Sequence, residues 1–136
     1  MKHKYKQALM DMAERFGQTS EAERLKVGSI IFKNGSCISL GTNGQPPGWH
    51  TETCEDAAGL TLPTVRHSEA AALEKLWNSS ETAEGSEIFI SHQPCLSCSI
   101  KIATAKISKV YYRHSYRCDK GIDYLISVGI PVEQVL

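Results

Sequence analysis

Short apolar runs alternate with stretches of helical period along most of the chain, and this alternation restricts the fold more than any other feature. Lys26-Val27-Gly28-Ser29-Ile30-Ile31-Phe32 is short enough for a buried strand. Lys33-Asn34-Gly35 supplies a hairpin turn, and Ser36–Leu40 returns as a second strand. Glu87–Ser91, Val110–Tyr112 and Ile130–Val135 read as further strands. Tyr5, Leu9, Met12 and Phe16 recur at helical spacing over about residues 2–16, and Gly17 stops that helix. A second helix runs from about Val65 to Asn78, with Ala70, Leu73, Leu76 and Trp77 as its apolar face. A third spans about Cys95 to Lys106, and Asp119 caps a fourth that runs to Val128 before Gly129. The order α-β-β-α-β-α-β-α-β predicts an α/β domain opened by an antiparallel hairpin. Residues 41–65, with four glycines and three prolines, carry no sustained period. A loop that long in a compact domain usually has a function or lacks order.

Composition narrows the function classes. The 136 residues predict one domain over 1–136, and 41% hydrophobic residues argue against disorder. Fifteen Lys+Arg against fifteen Asp+Glu disfavour a protein that coats polymeric nucleic acid by neutralising phosphates. No apolar run approaches the ~20 residues of a membrane span. The basic start Met1–Gln7 leads into Asp11, Glu14 and Arg15 rather than a signal-peptide core. Five cysteines, an odd number, then fit a reduced cytoplasmic chain in which clustered thiols serve metal binding or catalysis.

Two short motifs carry the chemistry: His67-Ser68-Glu69 and Pro94-Cys95-Leu96-Ser97-Cys98. Cysteines three apart at a helix start share one face, so both sulfurs can reach a single ion. The unpaired N–H groups of that helix start favour the thiolate that binds metal. One imidazole and two thiolates select zinc, and three protein ligands with one open position are the pattern of a catalytic rather than a structural ion. A water in the open position would ionise near neutral pH. Glu69, two residues from the histidine, is suited to move protons. H-x-E followed by P-C-x-x-C is the signature of zinc base deaminases. The alternatives are a closed zinc knuckle with Cys54 or Cys118 as fourth ligand, which leaves Glu69 unexplained, and a Cys95–Cys98 disulfide.

With these motifs in place, the chain resembles the deoxycytidylate (dCMP) deaminases of the cytidine deaminase superfamily from about Lys26 onward. Val27-Gly28-Ser29-Ile30-Ile31 is similar to the family's V-G-A-x-I strand, and Gly41–Gly48 to its G-Y-N-G-x-P-x-G loop. His67–Leu73 matches H-A-E-x-N-A-I in part. Val110–Tyr116 looks like the strand and tyrosine after the cysteine helix, and Val128-Gly129-Ile130 like a late A-G-I. The resemblance implies a three-layer α/β/α cytidine-deaminase-like fold with a mixed five-stranded sheet. It implies hydrolysis of dCMP to dUMP and ammonia by a zinc-bound hydroxide, supplying dUMP for thymidylate synthesis. His67, Cys95 and Cys98 would hold zinc, Glu69 would shuttle protons, Asn43 would bond the sugar 3′-hydroxyl, and Tyr116 would stack on cytosine. The family is typically a homohexamer, activated by dCTP and inhibited by dTTP with magnesium. Its effector site lies near the loop that here contains Gly41, Thr42 and Gly44, with Trp49 close in sequence.

The chain departs from the family pattern at Thr42 for tyrosine, Ser68 for alanine and Ala71 for asparagine. The 5′-phosphate needs cationic partners, and Lys26, Arg113 and Arg117 are the candidates beside these motifs, each also readable as a solvated surface charge. Rival readings are a tRNA adenosine deaminase, which would need a basic face, a free cytidine deaminase, which usually has cysteine in place of His67, and a zinc-stabilised interaction module.

Overall fold

In the computed structural model, which describes all 136 residues, five strands form one sheet in the order β2-β1-β3-β4-β5. The strands are β1 Gly28–Lys33, β2 Ser36–Thr42, β3 Glu87–His92, β4 Lys109–His114 and β5 Val132–Gln134. β1 pairs antiparallel with both β2 and β3, whereas β3, β4 and β5 run parallel, so the sheet is mixed as expected. The hairpin turn is the one the sequence signals: Asn34 and Gly35 have φ of 51° and 80°, the left-handed pair that matches strand twist.

Strand alternation sorts the side chains into two cores. Ile31, Ile88, Ile90 and Val110 face the layer of α2 Ser68–Lys75, α3 Leu96–Thr104 and α4 Lys120–Ser127, meeting Ala72, Ile102 and Leu125. Ile30, Phe89, Tyr111 and Val135 face α1 His3–Gly17 on the other side. Three layers result, because each sheet face is apolar and requires a cover. Phe89 and Tyr111 stack with ring centroids 4.3 Å apart at the centre of the second core.

Two predicted helix faces are corrected. α1 buries Leu9, Met10, Ala13 and Gly17, while Tyr5 and Met12 are exposed. Ala13 and Gly17 let the C-terminal half of the helix lie close to the sheet, while Leu9 and Met10 fill the space beside it. α2 gives way to a 3-10 turn, Leu76–Asn78, so the phase shifts and Trp77 is left 80% exposed rather than facing the core. Asp119 precedes α4 but makes no capping bond, because its Oδ1 accepts from the Gln93 side-chain amide at 2.7 Å.

The segment between β2 and α2 contains no helix or strand. It is tied at its base by reciprocal backbone bonds between Gly44 and Arg66, of 3.0 and 2.8 Å. α2 is seated directly on β2 at Gly41. A Cβ there would lie 2.6 Å from the Ala72 nitrogen and would collide with the Ser68 carbonyl oxygen, so only glycine admits the helix at this height.

Candidate active site

His67 and Cys95 each immediately precede a helix with extended backbone, and each carbonyl accepts the first helical bond, from Ala71 and Ser99 respectively. The positive ends of α2 and α3 therefore converge on the same point. Cys98 is placed one turn into α3 and is buried, with 1% exposure. The His67 Nδ1 lies 3.2 Å from the Cys98 Sγ and 3.5 Å from the Cys95 Sγ, and all three donor atoms lie within 4.8 Å of one another. This group of three contains no other histidine, cysteine or carboxylate. One nitrogen and two sulfurs converging at this spacing fit a soft, tetrahedral divalent ion with one position left open, as zinc prefers. Neither alternative fourth ligand belongs to this group: Cys54 is buried with its thiol on the Glu52 carbonyl, and Cys118 is exposed.

The electrostatics fit the same use. Hydrogen bonds from Cys98 and His67 pull the Cys95 thiol well below the ordinary range. The neighbouring Cys95 sulfur and burial push the Cys98 thiol up. The Cys95 bond also raises His67. The cluster thus carries protons that a cation would displace. Glu69, in the first turn of α2, is 4% exposed, and burial raises its carboxyl against the opposing bonds from its own N–H and from Ser68. A carboxyl so raised holds a proton more firmly than an ordinary one, which suits a group that accepts and returns protons.

These groups open into a cleft of about 260 Å³. Val27 and Asn43, then Cys54, Thr61 and Val65 of the long loop, and His92, Gln93 and Tyr116 line it. The structure brings His67, Glu69, Cys95, Asn43 and Tyr116 together along this cleft. Asn43 is fixed in place: its Oδ1 accepts from Val27 N–H at 2.9 Å, and its Nδ2 donates to the Leu25 carbonyl at 2.7 Å. Tyr116 is 43% exposed, and the Arg117 guanidinium lies 5.4 Å from its ring centroid. Gly41 and Thr42 end β2 beneath α2, whereas Trp49, tilted against His50 at 4.7 Å, stands out on the loop away from the cleft lining.

The predicted cations divide. Arg117 remains beside the cleft on Tyr116. Lys26 is turned to the Ser20 carbonyl. Arg113 is committed to α1, with its guanidinium 2.7 Å from both Asp11 and Glu14 and its Nε donating to the Val135 carbonyl. Neither Lys26 nor Arg113 lines the cleft, but Arg24 does, and its side chain forms no ion pair. Sequence reasoning missed Arg24 because it lies in a polar stretch without period. Its one signal was a position three residues before Val27, which begins the family-like strand. Gln93 was also missed. Its buried amide donates to the Cys118 carbonyl and Asp119 and accepts from Tyr116 N–H at 2.9 Å, which holds the Tyr116 turn against the cleft.

Residues 3–114 match the family described as the cytidine and deoxycytidylate deaminase zinc-binding region. The chain belongs to that family. This deaminase is 49% identical to the dCMP deaminase of cyanophage S-TIM5, whose crystal structure holds dCMP and dUMP. The two superpose with a TM-score of 0.96 over 98% of each chain. It is 32% identical over 108 residues to an uncharacterised deaminase of Aliivibrio fischeri, covering 79% of this chain and 71% of that one. It is also 30% identical over 116 residues to the deoxycytidylate deaminase of Mycobacterium phage D29, covering 76% of this chain and 89% of the relative. The five-stranded mixed sheet is thus the fold of dCMP deaminase structures, and the chain is an enzyme of the deaminase class.

Proposed function

We propose that this enzyme hydrolyses dCMP to dUMP and ammonia, with His67, Cys95 and Cys98 holding zinc. The observation that carries the reading is the convergence of this donor set with a buried carboxylate in a cleft that also holds an amide, an aromatic ring and a free guanidinium. The close likeness to a dCMP deaminase structure containing substrate and product supports the choice of nucleotide.

Bound zinc supplies a Lewis acid that lowers the pKa of water towards neutrality. The chain's own residues do the rest. The Glu69 carboxylate accepts a proton from the attacking water and passes it to N3 of the cytosine ring as C4 becomes tetrahedral. It then carries the second water proton to the amino nitrogen, which leaves as ammonia. Such positioned proton transfer contributes about 10²–10⁴-fold. Tyr116 holds the ring by stacking. Asn43, already oriented by two backbone bonds, presents its remaining amide hydrogen to the sugar 3′-hydroxyl. Arg24, with Arg117, receives the 5′-phosphate.

The wider reading rests on the family resemblance. It comprises a homohexamer that supplies dUMP for thymidylate synthesis, activation by dCTP, and inhibition by dTTP with magnesium around Gly41, Thr42, Gly44 and Trp49. The exposed indole of Trp49, 44% accessible, supports a contact on that loop. Five free thiols suit a cytoplasmic, reducing compartment. No helix is long and apolar enough to cross a membrane.

A turnover panel of dCMP, dCTP, deoxycytidine and CMP, each with and without dTTP, tests this function, with sedimentation of the same sample. The expected result is loss of the cytosine absorbance band with dCMP above all, suppressed by dTTP, from a hexamer. Preference for deoxycytidine or CMP would overturn the substrate assignment, and indifference to dTTP the regulatory one.

A further inference from the structure

Two buried hydroxyls stand behind the carboxyl of Glu69. The Ser68 Oγ donates to Glu69 Oε1 at 2.9 Å, and the Ser29 Oγ lies 2.6 Å from the Ser68 Oγ. Both serines are wholly buried. They come from different layers: Ser29 from β1 in the sheet, Ser68 from the first turn of α2. With Ser68 donating to the carboxylate, its oxygen accepts from Ser29, so the bonds run in one direction from the sheet to the acid.

We propose that Ser29 and Ser68 are positioning residues for the proposed reaction. As a hydroxyl pair anchored in the sheet, they fix the orientation of the Glu69 carboxyl toward the cleft. The proposal rests on Glu69 being the proton carrier. Neither serine needs to touch substrate. Ser68 acts through Glu69, and Ser29 acts only through Ser68. A carboxyl held by the Ser68 hydroxyl as well as by its own N–H is confined in its rotation, and small losses of such alignment are costly.

The test is a double-mutant cycle read by kcat, KM, zinc content and Tm. Ser68→Ala is expected to lower kcat about tenfold, the scale seen when a group behind an active-site residue is removed. KM and zinc content stay unchanged. Ser29→Ala lowers kcat less, and the double variant matches Ser68→Ala, because Ser29 has no route to Glu69 except through Ser68.

Stability follows a different order. Ser68→Ala leaves the buried Ser29 hydroxyl without its partner and lowers Tm, while the double variant removes that hydroxyl and recovers Tm. Recovered Tm with unrecovered kcat is the result that a purely structural role does not produce. If Ser68→Ala does not fold, the double variant carries the test alone by its kcat. Wild-type kcat in the double variant, kcat losses that multiply, or kcat rising in step with Tm would each overturn the proposal. Glu69→Gln in the same assay separates the two levels. If it stays active, the proton-carrier reading fails first. If it is inactive while the serine variants match wild type, only the positioning proposal fails.

Discussion

The Nδ1 of His67 lies 3.2 Å from the Sγ of Cys98, although 31 residues separate them in the chain. Two helices that start at the same end of the sheet make this meeting: one is preceded by the imidazole, and the other is preceded by the Cys95 thiol and carries Cys98 in its opening turn. Cys98 is the most enclosed of the three donors, so replacing it removes a ligand that no water can easily substitute. Cys98→Ser is expected to reduce zinc from about one equivalent per chain to well below it, with loss of activity. Metal analysis after dialysis checks this, and full zinc occupancy in the variant would remove Cys98 from the ligand set.

Glu69→Gln keeps the shape of the buried side chain and its contact with Ser68 but cannot carry a proton. We expect kcat to fall by about 10²–10⁴-fold while zinc content is unchanged. Steady-state rates and metal analysis on the same preparation check both halves of that statement.

Arg24 offers the one Lys or Arg side chain in the cleft lining. Loss of a charge-assisted bond to phosphate costs roughly 1.5–3 kcal/mol, so Arg24→Ala should raise KM for dCMP about 10- to 100-fold. Deoxycytidine, which has no phosphate, should be turned over as by the wild type. An equal effect on both substrates would show that Arg24 acts on the fold of the cleft instead.

The residues of the site differ in how far the sequence reveals them. His67, Cys95, Cys98 and Glu69 were legible because helix starts and fixed spacings bring such side chains together locally, with only the docking of two helices left to the fold. The sheet was legible for a similar reason, since Ile30 and Ile31, or Ile88 and Phe89, alternate between two cores. Arg24 was not legible, because the folded path of the long loop and the Gln18–Val27 stretch decides what it faces. Ser29 and Ser68 lie 39 residues apart, and nothing in either local pattern announces their contact. Trp77 lies off the helical period because the backbone tightens into a 3-10 turn after Lys75. Arg113 misled because its partners, Asp11 and Glu14, are brought to it from α1.

Gly41 gives a prediction about the seat of α2. A methyl at this position meets helix backbone, not the flexible end of a side chain, so the helix must move. Gly41→Ala should cost about 1–3 kcal/mol of stability, read by denaturant unfolding, and should lower activity because His67 and Glu69 move with the helix. Unchanged stability would mean that α2 is not packed as described.

Glu133 joins α1 to the parallel edge of the sheet, with Lys6 and Lys109 each 3.0 Å from its Oε1. Hydrogen bonds from Lys109 and Lys6 hold its carboxyl below the usual range. A carboxyl whose pKa is lowered by folding stabilises the fold above its unfolded value, about 4.3, and that contribution is lost as pH falls below it. Glu133→Gln should therefore lower Tm by about 1–3 °C at neutral pH, as expected for a partly exposed pair. The gap should close as the pH falls through the lowered carboxyl value. Thermal melts at several pH values check this, and a gap of constant size would exclude the ionic cause.

The central claim is that three ligands and one carboxylate make this cleft a hydrolytic site for dCMP. The most direct measurement is product analysis on purified protein of known zinc content, following dUMP and ammonia from dCMP. The account predicts equal amounts of dUMP and ammonia, formed catalytically by protein holding about one zinc per chain and abolished in Glu69→Gln. Zinc-loaded protein that binds dCMP but releases neither product would contradict it.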